Sequence, residues 1–296
     1  MVKALLGVAR GPFLLLSVTL VAAGAAAGAY EGGFQWSRTI LALVGLVALH
    51  AAVNALNEAS DMRRGIDLHT RRTPFSGGSG TLPSGAMSWQ AARAFGLAAA
   101  ALGLVVGLIL LAEIGWPLVP FLALGAISVL AYSDLFARAG LGELFAGLGL
   151  GLLPVAGTAL VQQGRLGAAA LAAGVPAFLM TFNLLFLNEF PDEEADRAGG
   201  RRNLVLMLGR PGAAMLYSVL AFLVPVSLVA AWLAGWLPPL ALVAMLPSLL
   251  LLQPVRWAFT RPNEEVPIPA LASNVVWNLA TNSLLAVALF IAARGR

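Results

Sequence analysis

The chain has 296 residues, of which 59% are apolar and only 11% are charged. A soluble domain carries about 25% charged residues, so this chain has too little polar surface to face water, and lipid is the solvent that fits. It has no cysteine and only two histidines, which excludes disulfides and thiolate metal sites and disfavours a histidine-based metal centre. The net charge of +4 does not indicate nucleic-acid binding, because the basic residues lie between apolar segments rather than along one stripe.

Nine windows of about twenty apolar residues predict nine membrane-spanning helices. We therefore expect a single all-α, polytopic membrane domain over residues 1–296, with its helices around a central cavity. In chain order, the predicted spans are residues 11–30, 38–60, 91–112, 117–134, 141–161, 167–190, 212–235, 238–257 and 270–293.

The first span is predicted to be a retained helix and not a signal peptide. Lys3 and Arg10 precede it, and the alanines at 25–27 resemble a cleavage site. However, Gly11 to Tyr30 runs without a charge and is longer than the roughly 7–15 residues of a signal peptide's apolar region.

The basic residues separate between the two membrane sides that nine spans define. With the N-terminus in the cytoplasm, the far side receives Arg38, Arg165, Arg294 and Arg296. The other fourteen of the 18 basic residues face the cytoplasm: Lys3, Arg10, Arg63, Arg64, Arg71, Arg72, Arg93, Arg138, Arg197, Arg201, Arg202, Arg210, Arg256 and Arg261. Because cytoplasmic loops collect Lys and Arg, the pattern supports nine helices with a cytoplasmic N-terminus, in the inner or cell membrane of a prokaryotic-type cell.

Two predicted cytoplasmic connections are long, at about residues 61–90 and 191–211. Long loops in a compact protein are usually functional or disordered. These two connections and the helix ends before them hold eight of the 14 acidic residues. We therefore expect the two connections to cap a functional site on the cytoplasmic side.

The first acidic stretch lies at the cytoplasmic end of the second predicted helix. Asn57 and Asp61 are four residues apart, so they share one helix face. Asp67 follows in the connection.

The second stretch repeats this spacing at the end of the sixth predicted helix, with Asn188, Asp192 and Asp196. Pro191 complicates a regular helix there, because proline removes a backbone donor and tends to kink a helix. The two Asn/Asp faces are nevertheless predicted to converge near the same membrane surface.

Such a pair of faces suits a magnesium site. Mg²⁺ prefers oxygen ligands and is held by a few carboxylates together with water and phosphate oxygens, so two facing clusters could share Mg²⁺ ions that bind a diphosphate. Arg71, Arg72, Arg201 and Arg202 lie nearby and could add bidentate contacts to phosphate.

Two other interpretations remain open at this point. The charges could be solvated loop charges that balance each other, or the acids could mark the ion pathway of a transporter or channel. The acids cluster at one surface rather than at the bilayer midplane, and the sequence shows no inverted repeat of broken helices, which disfavours a transporter.

Together with the nine predicted helices, the motifs resemble the UbiA-type intramembrane prenyltransferases, which have nine transmembrane helices and Asp-rich motifs after helices 2 and 6. The first family motif is Asn-Asp-x-x-Asp followed by a third Asp. Asn57 and Asp61 match it, whereas Glu58 stands where Asp is usual. Gly65 occupies the common third-Asp position, and the third acid is Asp67. That offset looks like the 1,4-dihydroxy-2-naphthoate prenyltransferases of menaquinone biosynthesis.

Other stretches extend the resemblance over nearly the whole chain. The matching residues are Asn188, Asp192, Asp196, Arg197, Gly200, Arg201 and Leu208-Gly209 in the second motif and its tail, Tyr132-Ser133, Arg138 and Gly142-Glu143-Leu144 at the connection of helices 4 and 5, and Arg10 with Pro12 before helix 1.

The resemblance implies an enzyme that uses Mg²⁺ to transfer a polyprenyl group from an isoprenyl diphosphate to an aromatic acceptor, with 1,4-dihydroxy-2-naphthoate as the expected quinone precursor. Family members that use hydroxybenzoate, a haem or a glycerol phosphate are the alternatives. The expected catalytic residues are Asn57, Asp61, Asp67, Asn188, Asp192 and Asp196, of which all but Asn188 are expected to hold Mg²⁺ through the diphosphate. The expected diphosphate-binding residues are Arg10, Arg71, Arg72, Tyr132, Ser133, Arg138 and Arg201.

Three further features have less specific interpretations. The glycine-rich residues 73–80 could cradle phosphate through backbone N–H groups or form a flexible lid. Asn274, Asn278 and Asn282 share a helix face and are interpreted as interhelical hydrogen-bonding groups rather than as the lining of a polar cavity. His50 is interpreted as a structural, hydrogen-bonded histidine.

Overall fold

The computed structural model describes residues 1–295, which form helices joined by turns and loops. Within these residues, eight helices are long and apolar enough to cross a membrane. A bent pair, Trp116–Leu130 and Tyr132–Ala139, meets at 60° and brings the number of spans to nine if the pair counts as one. The predicted all-α, polytopic membrane fold is confirmed, and the protein is an integral membrane protein.

The helices are numbered here in chain order, and α1 and α4 are too short to span a membrane. They are α1 (Val2–Val8), α2 (Gly11–Tyr30), α3 (Trp36–Arg64), α4 (Ile66–His69), α5 (Trp89–Ile114), α6 (Trp116–Leu130), α7 (Tyr132–Ala139), α8 (Gly142–Gln163), α9 (Ala168–Ala198), α10 (Leu204–Leu233), α11 (Pro239–Thr260) and α12 (Ile268–Ala293).

Small residues let α2 approach α8 closely. A Cβ added at Gly24 would lie 2.4 Å from the carbonyl oxygen of Val155, and one added at Gly28 would lie 2.6 Å from Cβ of Gln162. Lipid provides no hydrophobic force between helices, so close backbone contact through small residues is a main source of helix association in a membrane. The most apolar window of α2 is 67% buried, and α2 is therefore an inner helix of the bundle.

Buried amides join three helices in the way the asparagine spacing predicted. Asn274 in α12 donates through Nδ2 to the carbonyl oxygen of Asn183 in α9, at 3.0 Å. Tyr217 in α10 donates through its hydroxyl to Oδ1 of Asn274, also at 3.0 Å, and its own carbonyl oxygen accepts from Nδ2 of Asn183. Asn274 thus holds α9, α10 and α12 together.

Three turns meet at the end of the bundle opposite the acidic motifs. Arg38, at the start of α3, donates to the Glu113 carboxylate at the end of α5 (3.1 Å) and to the carbonyl oxygen of Val161 in α8 (3.0 Å). Glu31, after α2, accepts from the backbone N–H of Ala169 in α9, at 2.8 Å. Because these helix ends lie together, the acidic ends of α3 and α9 lie together at the other end.

The predicted connection 61–90 is partly helical. α3 continues to Arg64 and ends at Gly65, whose φ of +78° is a left-handed conformation that glycine adopts without strain. α4 then adds one short turn, and residues 70–88 are not part of a regular helix. The irregular part of the predicted cap is therefore shorter than the sequence indicated.

The predicted connection 191–211 differs more strongly from the structure. α9 continues past Pro191, and residues 199–203 connect it to α10, which is itself broken at Gly209, close to the predicted end of the connection. A proline removes only its own backbone donor, and the turn that follows is held by the Glu193–Arg197 ion pair at 2.9 Å. The second acidic motif therefore lies on a helix and not in a cap loop.

Candidate active site

A cavity of about 210 Å³ lies inside the bundle, at the end that carries both acidic motifs. The charged side chains that line it are Glu58, Asp61, Asp67, Glu189, Asp192, Asp196, Arg10 and Arg201. Much of the remaining wall comes from apolar side chains of the spans, among them Leu46, Leu49, Val129 and Leu184. The cavity is thus strongly acidic at one end and apolar along the membrane-spanning helices.

The first acidic motif is held by Arg201. Its Nη2 donates to Oδ1 and Oδ2 of Asp61, at 2.5 and 2.7 Å, and to Oδ1 of Asn57, at 2.7 Å. Asn57 donates through Nδ2 to Oδ2 of Asp61 at 2.9 Å, and Ser133 donates through Oγ to Oδ1 of Asn57 at 3.2 Å. Asn57 and Asp61 therefore form one pair on one face of α3, as their spacing predicted.

Asp67 joins this pair from α4. α3 ends at Gly65, so Asp67 does not lie on the same helix face as Asn57 and Asp61. It lines the cavity from α4, and its side chain is buried, with 5% exposed. Burial raises the pKa of the Asp67 carboxyl to about 7, and the negative charges of Asp61 and Glu58 contribute to the rise. A cation that entered the site would favour the ionised form of this carboxyl.

The second acidic motif faces the same cavity from α9. Asn188, Asp192 and Asp196 all line it. Asp192 accepts through Oδ2 from the backbone N–H of Gly77 at 3.2 Å, whereas its buried Oδ1 has no hydrogen-bond partner. Oε2 of Glu189, one residue from Asn188, is also buried, and this carboxyl lies beside the Glu143 carboxyl with no basic donor on it. Unpartnered buried carboxylate oxygens are costly, so a cation would be stabilised here.

Arg201 connects the two motifs. Its Nη1 lies 3.6 Å from Oδ1 of Asp196, while its Nη2 contacts Asp61. Asn203 donates through Nδ2 to the other oxygen of Asp196, Oδ2, at 2.9 Å. Although burial opposes its charge, the carboxylates of Asp61 and Asp196 raise the pKa of Arg201. Because one guanidinium reaches both acids, the ends of α3 and α9 lie close enough to act on one diphosphate group.

Two other predicted diphosphate-binding residues line the cavity. Arg10 lines the cavity beside the start of α2, and its Nη2 donates to the carbonyl oxygen of Phe75 at 2.9 Å. Tyr132 does so at the bend between α6 and α7. Ser133 does not line the cavity, but it contacts Asn57 and so supports the first motif.

The structure does not bring three predicted arginines to the cavity. Arg71 is exposed and forms an ion pair with Glu265. Arg72 is exposed and packs against Gly80 on the connection after α4, and Arg138 is exposed on α7. Arg71 and Arg72 were predicted because they follow the first motif closely in sequence, but the chain runs outside the cavity at these two residues and returns to it at Phe75. Arg138 was predicted from the family resemblance at the connection of helices 4 and 5, and it lies beyond the α6–α7 bend.

Several residues of the cavity were not among the predicted site residues. Glu189 was seen only as one acid of a cluster, although its place beside Asn188 in an acid-poor chain was a usable signal. Glu58 was noted as a departure from the family motif, and its partner Ser79 was not predicted. His50 lines the cavity as well as forming the expected hydrogen bond, with 3.0 Å between its Nδ1 and Oγ of Ser17.

The residues fit Mg²⁺ that binds together with a diphosphate better than Mg²⁺ held by protein alone. Over residues 1–295, no group of three or more His, Asp or Glu side chains is arranged to hold a metal ion by itself. The cavity has six carboxylates and only two guanidiniums, so it would repel a diphosphate unless cations entered with it. Mg²⁺ commonly uses one or two carboxylates and completes its shell with phosphate oxygens and water.

Comparison with known proteins identifies the class of this membrane protein. The sequence profile of the UbiA prenyltransferase family matches residues 15–280. The chain therefore belongs to the UbiA prenyltransferase family, and it is a prenyltransferase.

Three relatives share the name 1,4-dihydroxy-2-naphthoate octaprenyltransferase. The one from Mycobacterium tuberculosis is 30% identical over 71% of each chain, and the one from Escherichia coli is 25% identical over 95% of this chain and 93% of that protein. A third, from Bacillus subtilis, is 25% identical, and its alignment covers 57% of this chain but only 54% of the length of that protein.

Solved structures show the same fold at low sequence identity. A UbiA homologue from Aeropyrum pernix superposes with a TM-score of 0.70 at 19% identity, covering 94% of this chain and 97% of that one. A UbiA homologue from Archaeoglobus fulgidus bound to GPP and Mg²⁺ gives 0.68 at 16% identity, covering 98% and 99%. The arrangement of helices is thus that of the family over at least 94% of the chain.

Proposed function

We propose that this prenyltransferase transfers a polyprenyl group from a polyprenyl diphosphate to 1,4-dihydroxy-2-naphthoate, and that the reaction requires Mg²⁺. The acceptor is supported by the shared name of the three relatives. The diphosphate and metal are supported by the charge of the cavity, where six carboxylates face only two guanidiniums. This excess of carboxyl groups carries the proposal, because cations that bind to them would favour the binding of a diphosphate in the same cavity.

The residues of the two acidic motifs have different proposed roles. The residues proposed to hold Mg²⁺ are Asn57, Asp61, Asp67, Asp192 and Asp196. When bound, Mg²⁺ would neutralise the charge that develops on the departing diphosphate. Asn188, one turn before Asp192 on the same face of α9, is proposed to orient the diphosphate through its amide.

The basic residues of the cavity are proposed to bind the phosphate oxygens. Arg10 and Arg201 present guanidinium groups that suit bidentate contacts with phosphate, and the Tyr132 hydroxyl can donate to a third oxygen. Arg201 contacts Asp61 in this structure. When cations neutralise Asp61, Arg201 is free to turn towards the phosphate. Ser133 then continues to hold Asn57 in place.

The apolar wall is proposed to hold the prenyl chain and to exclude water. Leu46, Leu49, Val129 and Leu184 line the cavity along the spans. The carbon–oxygen bond breaks and the diphosphate leaves with the electron pair, so water near the resulting allylic cation would produce an alcohol instead of the product. A ring carbon of the acceptor then forms the new carbon–carbon bond, and with dihydroxynaphthoate the carboxyl group leaves as CO₂ with release of its proton.

The test is a transfer assay with purified protein, Mg²⁺ and a labelled polyprenyl diphosphate. The acceptor panel contains 1,4-dihydroxy-2-naphthoate, hydroxybenzoate, haem and glycerol phosphate. We expect prenylated naphthoate from the unchanged protein and at least about a hundredfold less from Asp61→Asn and Asp192→Asn, because each loses a charge that the metal needs. Glu194→Gln is the matched control, since Glu194 is exposed on α9 two residues from Asp192.

Each alternative gives a different result in this assay. Prenylation of hydroxybenzoate, haem or glycerol phosphate in preference to the naphthoate would overturn the proposed acceptor and keep the enzyme class. Equal product from the unchanged protein and both Asn variants would remove the proposed role of the motifs. A transporter, in contrast, would show metal-dependent flux in liposomes that both variants abolish.

We also propose that the N-terminus and the cavity face the cytoplasm. Fourteen of the 18 basic residues belong to the membrane side that carries the acidic motifs. Cytoplasmic loops collect Lys and Arg, so this distribution supports the orientation. The chain has no cysteine, so a single introduced cysteine is the only thiol to label. Ser84→Cys is expected to react with an impermeant maleimide only in inverted membrane vesicles, and Leu166→Cys only in intact spheroplasts; the reverse pattern would contradict the orientation.

A further inference from the structure

Residues 75–80, which we name the strap, follow a path that only glycine allows at several positions. Gly77, Gly78 and Gly80 have φ values of +77°, +73° and +75°, a region that side chains with a Cβ rarely adopt. A Cβ at Gly77 would also lie 2.8 Å from Cγ2 of Thr70. The backbone path of the strap is therefore specific, and the strap is more than a flexible glycine-rich linker.

The first half of the strap is tied to the second acidic motif. The backbone N–H of Gly77 donates to Oδ2 of Asp192 at 3.2 Å, and Arg10 donates to the carbonyl oxygen of Phe75 at 2.9 Å. Residues 75–78 line the cavity. This half of the strap thus forms part of the cavity wall beside α9.

The second half is tied to the first acidic motif by one side chain. Oε1 of Glu58 accepts from the backbone N–H of Ser79 at 2.7 Å, and Oε2 accepts from Oγ of Ser79 at 2.6 Å. Glu58 is only 2% exposed. Both carboxylate oxygens are therefore engaged by the strap, and the strap runs from Asp192 on α9 to Glu58 on α3.

We propose that Glu58 is a positioning residue that fastens the strap across the acidic end of the cavity, and that it is not a ligand of the metal. The proposal rests on prenyl transfer taking place in this cavity. Its consequence for the reaction is exclusion of water: with the strap closed, the allylic cation meets the acceptor, and with the strap loose, the cation is captured by water.

The length of the Glu58 side chain separates this role from metal binding. Asp, the residue usual at this position of the motif, is one methylene shorter and does not reach Ser79 from the same backbone. Gln keeps the length: its Oε1 accepts from the Ser79 N–H and its Nε2 donates to Oγ of Ser79, whose own proton is then directed to Oγ1 of Thr81, 2.8 Å away. Reach and negative charge are thus changed one at a time by Glu58→Asp and Glu58→Gln.

Hydrogen exchange of the metal-free protein measures the fastening directly. We expect peptides that contain residues 76–80 to exchange about tenfold faster in Glu58→Asp, since the shorter side chain loses both hydrogen bonds to Ser79, and to exchange within about twofold of the unchanged protein in Glu58→Gln, which keeps both. Ser79→Ala, which keeps the backbone hydrogen bond, should lie between these values. Ser84→Ala is the matched control, because the exposed Ser84 hydroxyl contacts only the carbonyl oxygen of Thr81.

A second readout follows the fate of the prenyl group when Mg²⁺ is present. We expect Glu58→Asp to raise the ratio of prenyl alcohol to transferred product several-fold, with a half-saturating Mg²⁺ concentration close to that of the unchanged protein. A metal ligand would behave in the opposite way, because Glu58→Gln would raise the half-saturating Mg²⁺ concentration tenfold or more and Glu58→Asp would not.

The proposal is overturned if residues 76–80 exchange as slowly in Glu58→Asp as in the unchanged protein. It is also overturned if their exchange becomes faster in Glu58→Gln and not in Glu58→Asp. The exchange measurement needs neither metal nor substrate. Failure of every acceptor in the transfer assay would therefore refute the proposed reaction while the result on the strap remained valid.

Discussion

The acidic ends of α3 and α9 carry the same Asn-x-x-x-Asp spacing but meet different partners. On α3, both oxygens of Asp61 accept from Arg201, and both oxygens of Glu58 accept from Ser79. On α9, Oδ1 of Asp192 is buried without a hydrogen-bond partner. A repeated spacing therefore specifies which face of a helix the acids occupy and leaves open which groups neutralise them.

The difference has a consequence for how cations enter. The α3 end is already neutralised in part by the Arg201 guanidinium, so a cation must compete with Arg201 there. At the α9 end Arg201 also contacts Asp196, but Oδ1 of Asp192 has no competing partner, so Asp192 offers the more favourable first contact. The two ends are thus expected to respond differently to the same substitution.

The largest effects are expected for Asp192→Asn and Asp61→Asn. Both should lower prenyl transfer at least about a hundredfold. Asp61→Asn should also destabilise the metal-free protein, by about 3 kcal/mol, because the buried Arg201 loses the nearer of its two carboxylate partners and keeps only the Asp196 contact at 3.6 Å. Asp192→Asn should lower the free energy of unfolding by less than about 1 kcal/mol, since one oxygen of the Asp192 carboxylate has no hydrogen-bond partner to lose.

Thermal unfolding in EDTA, followed by tryptophan fluorescence, measures the difference, and Glu194→Gln on the exposed side of α9 is the control. Equal destabilisation by the two Asn variants would show that the two ends are equivalent and would refute the comparison.

A smaller, pH-dependent effect is expected at Asp67. The pKa of its carboxyl is raised from 3.8 to about 7 by burial and by the neighbouring Asp61 and Glu58. Between these two values the folded protein binds a proton that the unfolded chain does not, so folding stability falls as the pH rises from about 4 to about 7. Asp67→Asn removes this loss.

The metal-free Asp67→Asn protein should therefore be more stable than the unchanged protein at pH 8, by up to about 4 kcal/mol, and should show almost no gain at pH 4. Melting temperatures in EDTA at the two pH values test this. A variant that is less stable at pH 8 would mean that the ionised carboxylate is stabilised by its surroundings.

The smallest effect is expected for a second ion pair of α3, on its outer side. Arg64 contacts Asp134 at 2.6 Å, but the Asp134 side chain is 62% exposed. Exposed ion pairs contribute about 0–1 kcal/mol, so Asp134→Asn should change stability by less than that and transfer by less than about twofold. A large loss of transfer would indicate that the α7 surface takes part in the site.

Local patterns predicted the spans and the acidic faces well. Long apolar windows identify helices because lipid requires them, and a spacing of four places Asn57 with Asp61 and Asn188 with Asp192. The sequence therefore predicted that both motifs line one cavity. Pro191 misled the prediction of the second connection, because a proline breaks a helix only when neighbouring contacts do not compensate for its missing donor.

The contacts that complete the site are long-range and were not predictable from spacing. Arg201 reaches Asp61 across 140 positions of the chain, and Ser79 reaches Glu58 across 21. Both depend on how the connections fold over the helix ends. Arg71 and Arg72 were expected at the diphosphate site, but they lie on the outer surface. The path of the connection that carries them could not be predicted from spacing either.

The most direct test of the shared site is anomalous diffraction from crystals grown with Mn²⁺ and a prenyl thiodiphosphate that does not react. We expect Mn²⁺ peaks between Asp61 and Asp192, in contact with the diphosphate, with Arg201 moved from Asp61 to a phosphate oxygen. Peaks at one helix end alone, or a diphosphate bound away from both motifs, would contradict it.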